Sequence, residues 1–499
     1  MSNAGFDTIP GDIVAPIITF EVNSGGTFTN ESRGLVIAPK STDGTMDQNV
    51  PYFPANRSEA RQLAGKGSIL SDMYRRFSLR NALNVWMMSV ADVGTAQQVT
   101  VTINTAATGT GRIQIAGQMV TVGTDVDDTP AAIATALAAA INSYYDPLTE
   151  AELPYTATAA SAVVTLTARH KGVIFEGVDI WLDDRNANSF IGNVTIDTPT
   201  AGAGDPNLSA PLAAIDENNW DWIYIPFSDD ANFARYEALL SDVSGRWAWS
   251  KQLYGHVFTA KRGSTAEITT YLDAKDTRHV STVFSFTASG DATPIWGVLA
   301  EQMAPLHNWL SDGTGGGVTR AHDGLPAEGH KTPRVRASWP DYNLRNTLLK
   351  LGGSVWRVNN ADKVVLSKVV THHKTENDAP DATFRDIQSI AQLTYGLRRI
   401  RAQLAFEHSN RIAADDDVLS PDLPASTTRD VEATLVQTYT ELVEGGVFRN
   451  TQAFTEAVRV TRDNGNPNRY NIFAPILRGV PLDIIAANAT IYQKQIPAA

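Results

Sequence analysis

At 499 residues the chain is long enough for two or three domains, and its 43% hydrophobic and 19% charged residues are an ordinary globular balance. The formal net charge of -13 at pH 7 argues against nucleic acid or an anionic membrane as the bulk partner. With no cysteine, disulfides, thiol nucleophiles and cysteine-ligated metals are excluded together, which suits assembly in a reducing cytoplasm.

The opening Met1-Ser2-Asn3-Ala4-Gly5-Phe6-Asp7 has no basic or apolar leader region, so no secretory signal is expected. No run approaches the ~20 apolar residues of a membrane span; residues 131–141 come nearest and are short and alanine-rich. The first 95 residues mix extended and helical patterns. Residues 96–205 form an island rich in Thr, Ala, Val and Gly. Within it Val99, Val101 and Ile103 alternate with threonines as a half-buried strand does. Ile113 and Ile115 lead through Ala116-Gly117 to Met119-Val120-Thr121-Val122, a hairpin pattern. Thr129 and Pro130 then open a helix that stacks Ile133, Leu137 and Ile141. The island's edges, Val93-Gly94-Thr95 and residues 201–206, read as linkers, and the whole as a surface domain inserted into another.

Beyond residue 206, strands at 222–225, 255–259 and 280–286 alternate with helices. The first helix runs through Phe233, Tyr236, Leu240 and Val243, the second through Ile268 and Leu272, and the third over about 294–303. Strand, short loop and helix repeated in this way predict a largely parallel sheet with helical crossovers. The Gly-rich, polar stretch 312–333 reads as a long mobile loop. A strand at 364–366 precedes a long helix with Ile387, Ile390, Leu393, Leu397, Ile400 and Leu404 on one face. A second helix carries Val431, Leu435, Tyr439 and Leu442 and stops at Gly445-Gly446. Strands follow around 458–460 and 471–473, and at the end Ile485, Ala487, Ala489 and Ile491 alternate with no helix after them. The expected fold class is therefore α/β and α+β multidomain.

Candidate chemistry is sparse. Strand-end loops of a parallel sheet are where ligands sit, and here they hold Ser228, Asp229, Asp230, Lys261, Ser264 and Asp291. Ser and Asp at those points more simply cap the helices that follow. Gly313-Thr314-Gly315-Gly316-Gly317 lacks the Lys-Ser/Thr pair of a phosphate loop. His372 and His373, near Glu376 and Asp378, point to opposite faces if extended, so one ion cannot readily take both. Arg398, Arg399 and Arg401 lie on the long helix, either as a solvated face or as a docking face for an acidic partner. No catalytic, cofactor-binding or metal-binding residue is assigned.

An ordered series of segments carries a resemblance. Phe6-Asp7-Thr8-Ile9-Pro10-Gly11-Asp12-Ile13-Val14-Ala15-Pro16 looks like an N-terminal arm, and Ala64-Gly65-Lys66-Gly67-Ser68-Ile69-Leu70 with Asn84-Val85-Trp86 like a first helix and strand. Ile115-Ala116-Gly117, Ala138-Ala139-Ala140-Ile141-Asn142, Arg345-Asn346-Thr347-Leu348-Leu349 and Leu393-Thr394-Tyr395-Gly396-Leu397-Arg398 continue the series. Over nearly its whole length the chain resembles the tail sheath proteins of Mu-like contractile phages; the loop 312–333 is the departure.

The resemblance implies a structural subunit, not an enzyme. It implies six-fold rings or six helical strands around a tail tube, which contract to drive the tube through a bacterial envelope. It implies as partners further copies of the chain, the tail tube protein, and baseplate and terminator proteins, with no nucleic acid, membrane or cofactor. The expected place is the virion, after assembly in the host cytoplasm. The expected division is an N-terminal arm at 1–28, an α/β sheath domain at 29–95 plus 206–362, the insertion at 96–205, and a C-terminal polymerisation domain at 363–499 with an arm at 485–499. Strand-like ends without partner strands suit pairing between copies, so Ile13, Val14, Ile17, Ile18, Phe20, Val22, Ile485, Ala487, Ala489 and Ile491 are the expected inter-subunit strands. Arg398, Arg399 and Arg401 are the expected tube-facing residues. A bacteriocin-like or secretion-type contractile sheath is the alternative machine, and an α/β enzyme using the strand-end loops is the distant one.

Overall fold

The computed structural model describes residues 32–184, 186–215, 217–313, 317–414 and 423–489. They fall into two compact units, the larger holding residues 32–312, 317–394 and 480–489, the smaller holding residues 313, 395–414 and 423–479.

The larger unit is built on a six-stranded sheet. Across it the strands run Val280–Phe286, His256–Gly263, Trp222–Tyr224, Gly34–Pro39, Val85–Val90 and Pro51–Tyr52. All neighbours are parallel except the last pair. Such strands are covered on both faces and read as continuous apolar runs; Leu35, Val36, Ile37, Val257, Phe258 and Val283 are all fully buried. Helices Arg57–Ala64 and Ile69–Leu79 cross over between the strands Gly34–Pro39 and Val85–Val90, and Asp230–Leu240 and Thr265–Asp273 link the next ones. Each begins at a side-chain cap, Asn56, Ser68, Asp229 and Ser264 respectively.

Local departures from expectation have physical causes. The helix through Phe233 stops at Leu240, leaving Val243 exposed. The third helix runs Ile295–Ser311 across Pro305, because Leu306, His307 and Leu310 beyond the proline are buried. His307 is held at both ring nitrogens, by the Tyr224 hydroxyl at 2.8 Å and the Leu83 carbonyl at 2.7 Å. The loop expected to be mobile is pinned where it is described. Its Gly324 and Ala327 amides donate to Leu366 and Val364, and Leu366 donates back to Leu325. Val318, His322, Ala327 and His330 are buried. Composition marks this stretch as a loop but cannot show that it lies along the strand Val364–Lys368.

Residues 96–200 form two antiparallel sheets. One runs Val194–Thr200, Ala96–Ile103, Val163–Lys171 and Tyr155–Ala160; the other runs Gln118–Thr124, Gly109–Ile115 and Ile180–Leu182. The hairpin turn Ala116-Gly117 has both φ angles positive, at 49° and 81°, as a two-residue turn matched to strand twist requires. The edges of this stretch, expected to be linkers, are not slack. Thr95 and Ala203 exchange backbone hydrogen bonds of 2.8 and 3.2 Å. Gly94, at φ 94°, is needed there because a Cβ would run into the Ala203 carbonyl. Ion pairs tie this stretch to the helix Arg57–Ala64: Arg57–Glu150 at 2.7 Å and Arg61–Glu152 at 2.5 Å.

In the smaller unit, helix Thr428–Glu444 starts at a Thr427–Asp430 capping box, and Tyr439 on it stacks on Phe454 with centroids 3.8 Å apart. Helix Ile387–His408 contributes its residues 395–408 to this unit. On its expected apolar face Ile387, Ile390 and Ile400 are buried and Leu393, Leu397 and Leu404 half-buried. Gly396 interrupts that face where a Cβ would enter the Phe448 ring. A hairpin, Arg459–Arg462 against Tyr470–Phe473, completes the unit.

Candidate assembly site

The strand-end loops were the place to look for chemistry. They line a cleft of about 870 Å³ that includes Asp205, Ser228, Asp229, Asp230, Lys261 and Glu267. The side chains in it are largely engaged by the fold. Asp229 accepts from the Asn232 amide at 2.9 Å and its side-chain Nδ2 at 2.7 Å. Asp230 pairs with Lys275 at 2.7 Å. Ser264 and Glu267 cap each other reciprocally. The Lys261 ammonium lies 5.2 Å from the Tyr271 ring centroid.

Asp291 is buried, accepting from Ser285 Oγ at 2.8 Å and facing His330 Nε2 at 2.9 Å. Burial alone would raise its carboxyl, but His330, Arg262 and the Ser285 hydroxyl together outweigh this and hold it at about 2. Serine and histidine thus both bind the aspartate and not each other, so the nucleophile–base hydrogen bond of a hydrolytic triad is missing. His372 bonds Thr282 Oγ1 at 2.8 Å, whereas His373 meets Asp381 at 2.7 Å. Glu376 precedes, and Asp378 lies in, an exposed two-residue turn. Among the described residues no cluster of three or more His, Asp or Glu is placed to hold a metal ion, and no helix is long and apolar enough to cross a membrane.

The assembly residues expected from the sequence are distributed differently. Ile13, Val14, Ile17, Ile18, Phe20, Val22 and Ile491 lie outside the described residues. Ile485, Ala487 and Ala489 are exposed and belong to a segment, 480–489, without helix or strand. The exposed apolar run starts earlier than the sequence alternation suggested. Val480, Leu482, Ile484 and Ile485 are 54%, 73%, 81% and 81% exposed. An even-numbered alternation through Val480, Leu482 and Ile484 precedes the odd-numbered one and was the missed signal. Among the basic residues, Arg401 is exposed and Arg398 half-buried. Arg399 is engaged inside the smaller unit, with Glu441 at 2.7 Å and Gln403 at 2.7 Å. Phe406, further along the same helix, is 72% exposed.

The polar side chains of this cleft are largely used in caps and ion pairs, and residues 480–485 carry exposed apolar side chains. Comparison with known proteins adds a second line of observation. No family model matches. The Mu-like prophage FluMu tail sheath protein of Haemophilus influenzae is 25% identical over 484 residues, 94% of this chain and 95% of the relative. The resemblance to Mu-like tail sheath proteins holds along nearly the full chain. Those relatives are structural proteins of the tail and not enzymes. Solved sheath tail proteins from Desulfitobacterium hafniense and Listeria innocua align over 92% and 91% of the chain, at 14% and 12% identity, each with a TM-score of 0.48.

Proposed function

We propose that this protein is the sheath subunit of a contractile phage tail. It polymerises around the tail tube as six-fold rings or six helical strands, and it contracts to drive the tube through a bacterial envelope. The full-length sequence relative carries the reading, and the exposed apolar end of the chain supports it. Copies link head to tail through their ends, since heterologous contacts that do not close generate helical polymers. Residues 13–22 and 485–495 serve as the linking strands. The α/β domain of 29–95 plus 206–362 acts as the rigid body, 96–205 as an outward surface domain, and 363–499 as the polymerisation domain. Arg398 and Arg401, with Phe406, face the tube, and baseplate and terminator proteins cap the polymer in the virion. Contraction is the relaxation of a kinetically trapped lattice in which rigid subunits turn while their linking strands stay paired.

Negative-stain electron microscopy of the purified full chain tests this. Hollow tubes or stacked rings are expected above a threshold concentration, and their disappearance on deleting residues 485–499. A monomer at every concentration, with or without the deletion, would remove the reading.

A further inference from the structure

An extended apolar tail left loose folds back on its own subunit or sticks to any exposed edge. One contact controls where this tail leaves the fold. Asp483, set between the exposed Leu482 and Ile484, reaches the Lys368 ammonium at 2.5 Å. The same ammonium lies 3.0 Å from Asp386 Oδ1, a buried carboxylate immediately before helix Ile387–His408. Lys368 ends the strand Val364–Lys368, so its stem rises from a rigid element.

The two carboxylates have different needs. Asp386 is buried and needs a cation to offset its desolvation; Arg385, 3.9 Å away, helps little at that distance. The Asp483 side chain is 28% exposed, and its presence adds a second negative charge to a site that one ammonium already neutralises. Its attachment therefore contributes little to folding. What it does is fix the first residues of the tail, together with Pro481, which is buried. Ordering a segment before it binds reduces the entropy lost on binding.

We propose that Lys368 and Asp483 form a clasp that positions the C-terminal arm, presenting Leu482, Ile484 and Ile485 to a second copy of this chain instead of to its own subunit. This rests on reading 485–495 as an inter-subunit strand. Lys368 and Asp483 are positioning residues, and neither is part of the strand interface.

The test uses the full chain with Asp483→Asn and Asp483→Lys, because changing Lys368 would also remove its ion pair with the buried Asp386. Cleavage within 480–489 by a non-specific protease, followed by mass spectrometry, reports whether the arm is held. The critical concentration for tube formation reports whether it is presented. For Asp483→Asn both are expected to rise about two- to fivefold, the range of an exposed ion pair, with the melting temperature unchanged; Asp483→Lys should exceed it. Wild type should lose its advantage in about 1 M salt, where charges are screened within ~3 Å, whereas Asp483→Asn should be indifferent to salt. Unchanged cleavage and critical concentration, beside a 485–499 deletion that abolishes tubes, would overturn the clasp and leave the arm reading standing. A deletion that still forms tubes would overturn both. A fall in melting temperature that accounts for the assembly defect would make the pair a folding contact and overturn the positioning role.

Discussion

Acid should unfold this protein through its histidines well before its carboxylates titrate. His307 is held neutral by burial, despite the Leu83 carbonyl at its ring, with its pKa down at about 4. His322 and His372 are lowered to about 3, by burial first and then by Lys368 and by Lys374 and Lys275 respectively. His256 and His279 are shifted the same way by burial. An unfolded histidine titrates near 6.5. Below that pH the unfolded chain binds more protons than the folded one, so the stabilisation is complete above about pH 6.5 and is lost as pH falls toward the folded values. Each such group costs about 1.4 kcal/mol per pH unit, or about 2 kcal/mol between pH 6.5 and 5. His307, His322 and His372 together remove about 6 kcal/mol in that window, comparable with the ~5–15 kcal/mol that holds a domain folded. Asp72 and Asp291, both at about 2, do not contribute until pH falls below about 4. Urea unfolding followed by tryptophan fluorescence at pH 7.5 and 5.0 measures the slope. His322→Leu isolates one member: neither of its ring nitrogens has a hydrogen-bond partner among the described residues, so the substitution gives up no bond. It should be as stable as wild type at pH 7.5 and about 2 kcal/mol more stable than wild type at pH 5. A wild-type loss below about 2 kcal/mol, or an unchanged slope in His322→Leu, would refute the reasoning.

Arg76 is buried between Asp72 at 3.0 Å and Glu301 at 3.1 Å, so Arg76→Met should cost about 3–5 kcal/mol in a denaturant titration, and a loss under ~1 kcal/mol would show the carboxylates to be otherwise compensated. Gly94→Ala should cost about 1–3 kcal/mol through its positive φ alone, and more through the Ala203 carbonyl; a neutral variant would mean that the edges of the insertion can part. The double variant R398E/R401E spares the Arg399–Glu441 pair. It should form sheath alone but sediment with purified tail tubes about tenfold less, a coupling typical of contact charges; wild-type cosedimentation would place this face elsewhere.

The parallel sheet was legible because buried strands are apolar runs and the residues between them cap helices, both purely local signals. Val280–Phe286 and the caps at Asp229 and Ser264 emerged as the sequence placed them. The hidden features are long-range. Nothing local announces that residues 324–327 lie along residues 364–366, so a glycine-rich loop read as mobile. The third helix was expected over about 294–303, yet it continues through Pro305, a residue local backbone chemistry disfavours there, because Leu306 and Leu310 beyond it are buried. At the C-terminal end, alternation marked an apolar segment of which residues 485, 487 and 489 are exposed, but periodicity could not show that Arg399 finds Glu441, or that Asp483 finds Lys368 115 positions away.

If residues 485–495 are an inter-subunit strand, as proposed, the energetics of the exposed segment predict how it works. Full burial of Leu482, Ile484 and Ile485 is worth about 1.5–3 kcal/mol each, or about 5–9 kcal/mol together. Ordering the backbone of residues 485–489 alone costs about 5–10 kcal/mol. The two nearly cancel, so docking of one arm depends on main-chain pairing and on whatever ordering its root already has. A free peptide of residues 480–499 pays the whole ordering cost and adds that of losing its own translational freedom. It should bind the subunit no tighter than about 1 mM, measured by fluorescence anisotropy, while the same residues attached to a subunit in a growing tube act at high effective concentration. Micromolar binding by the free peptide would mean that the arm needs neither attachment nor a positioned root. Weak binding would make lattice growth cooperative, because each arm docks only where its subunit is already held by others.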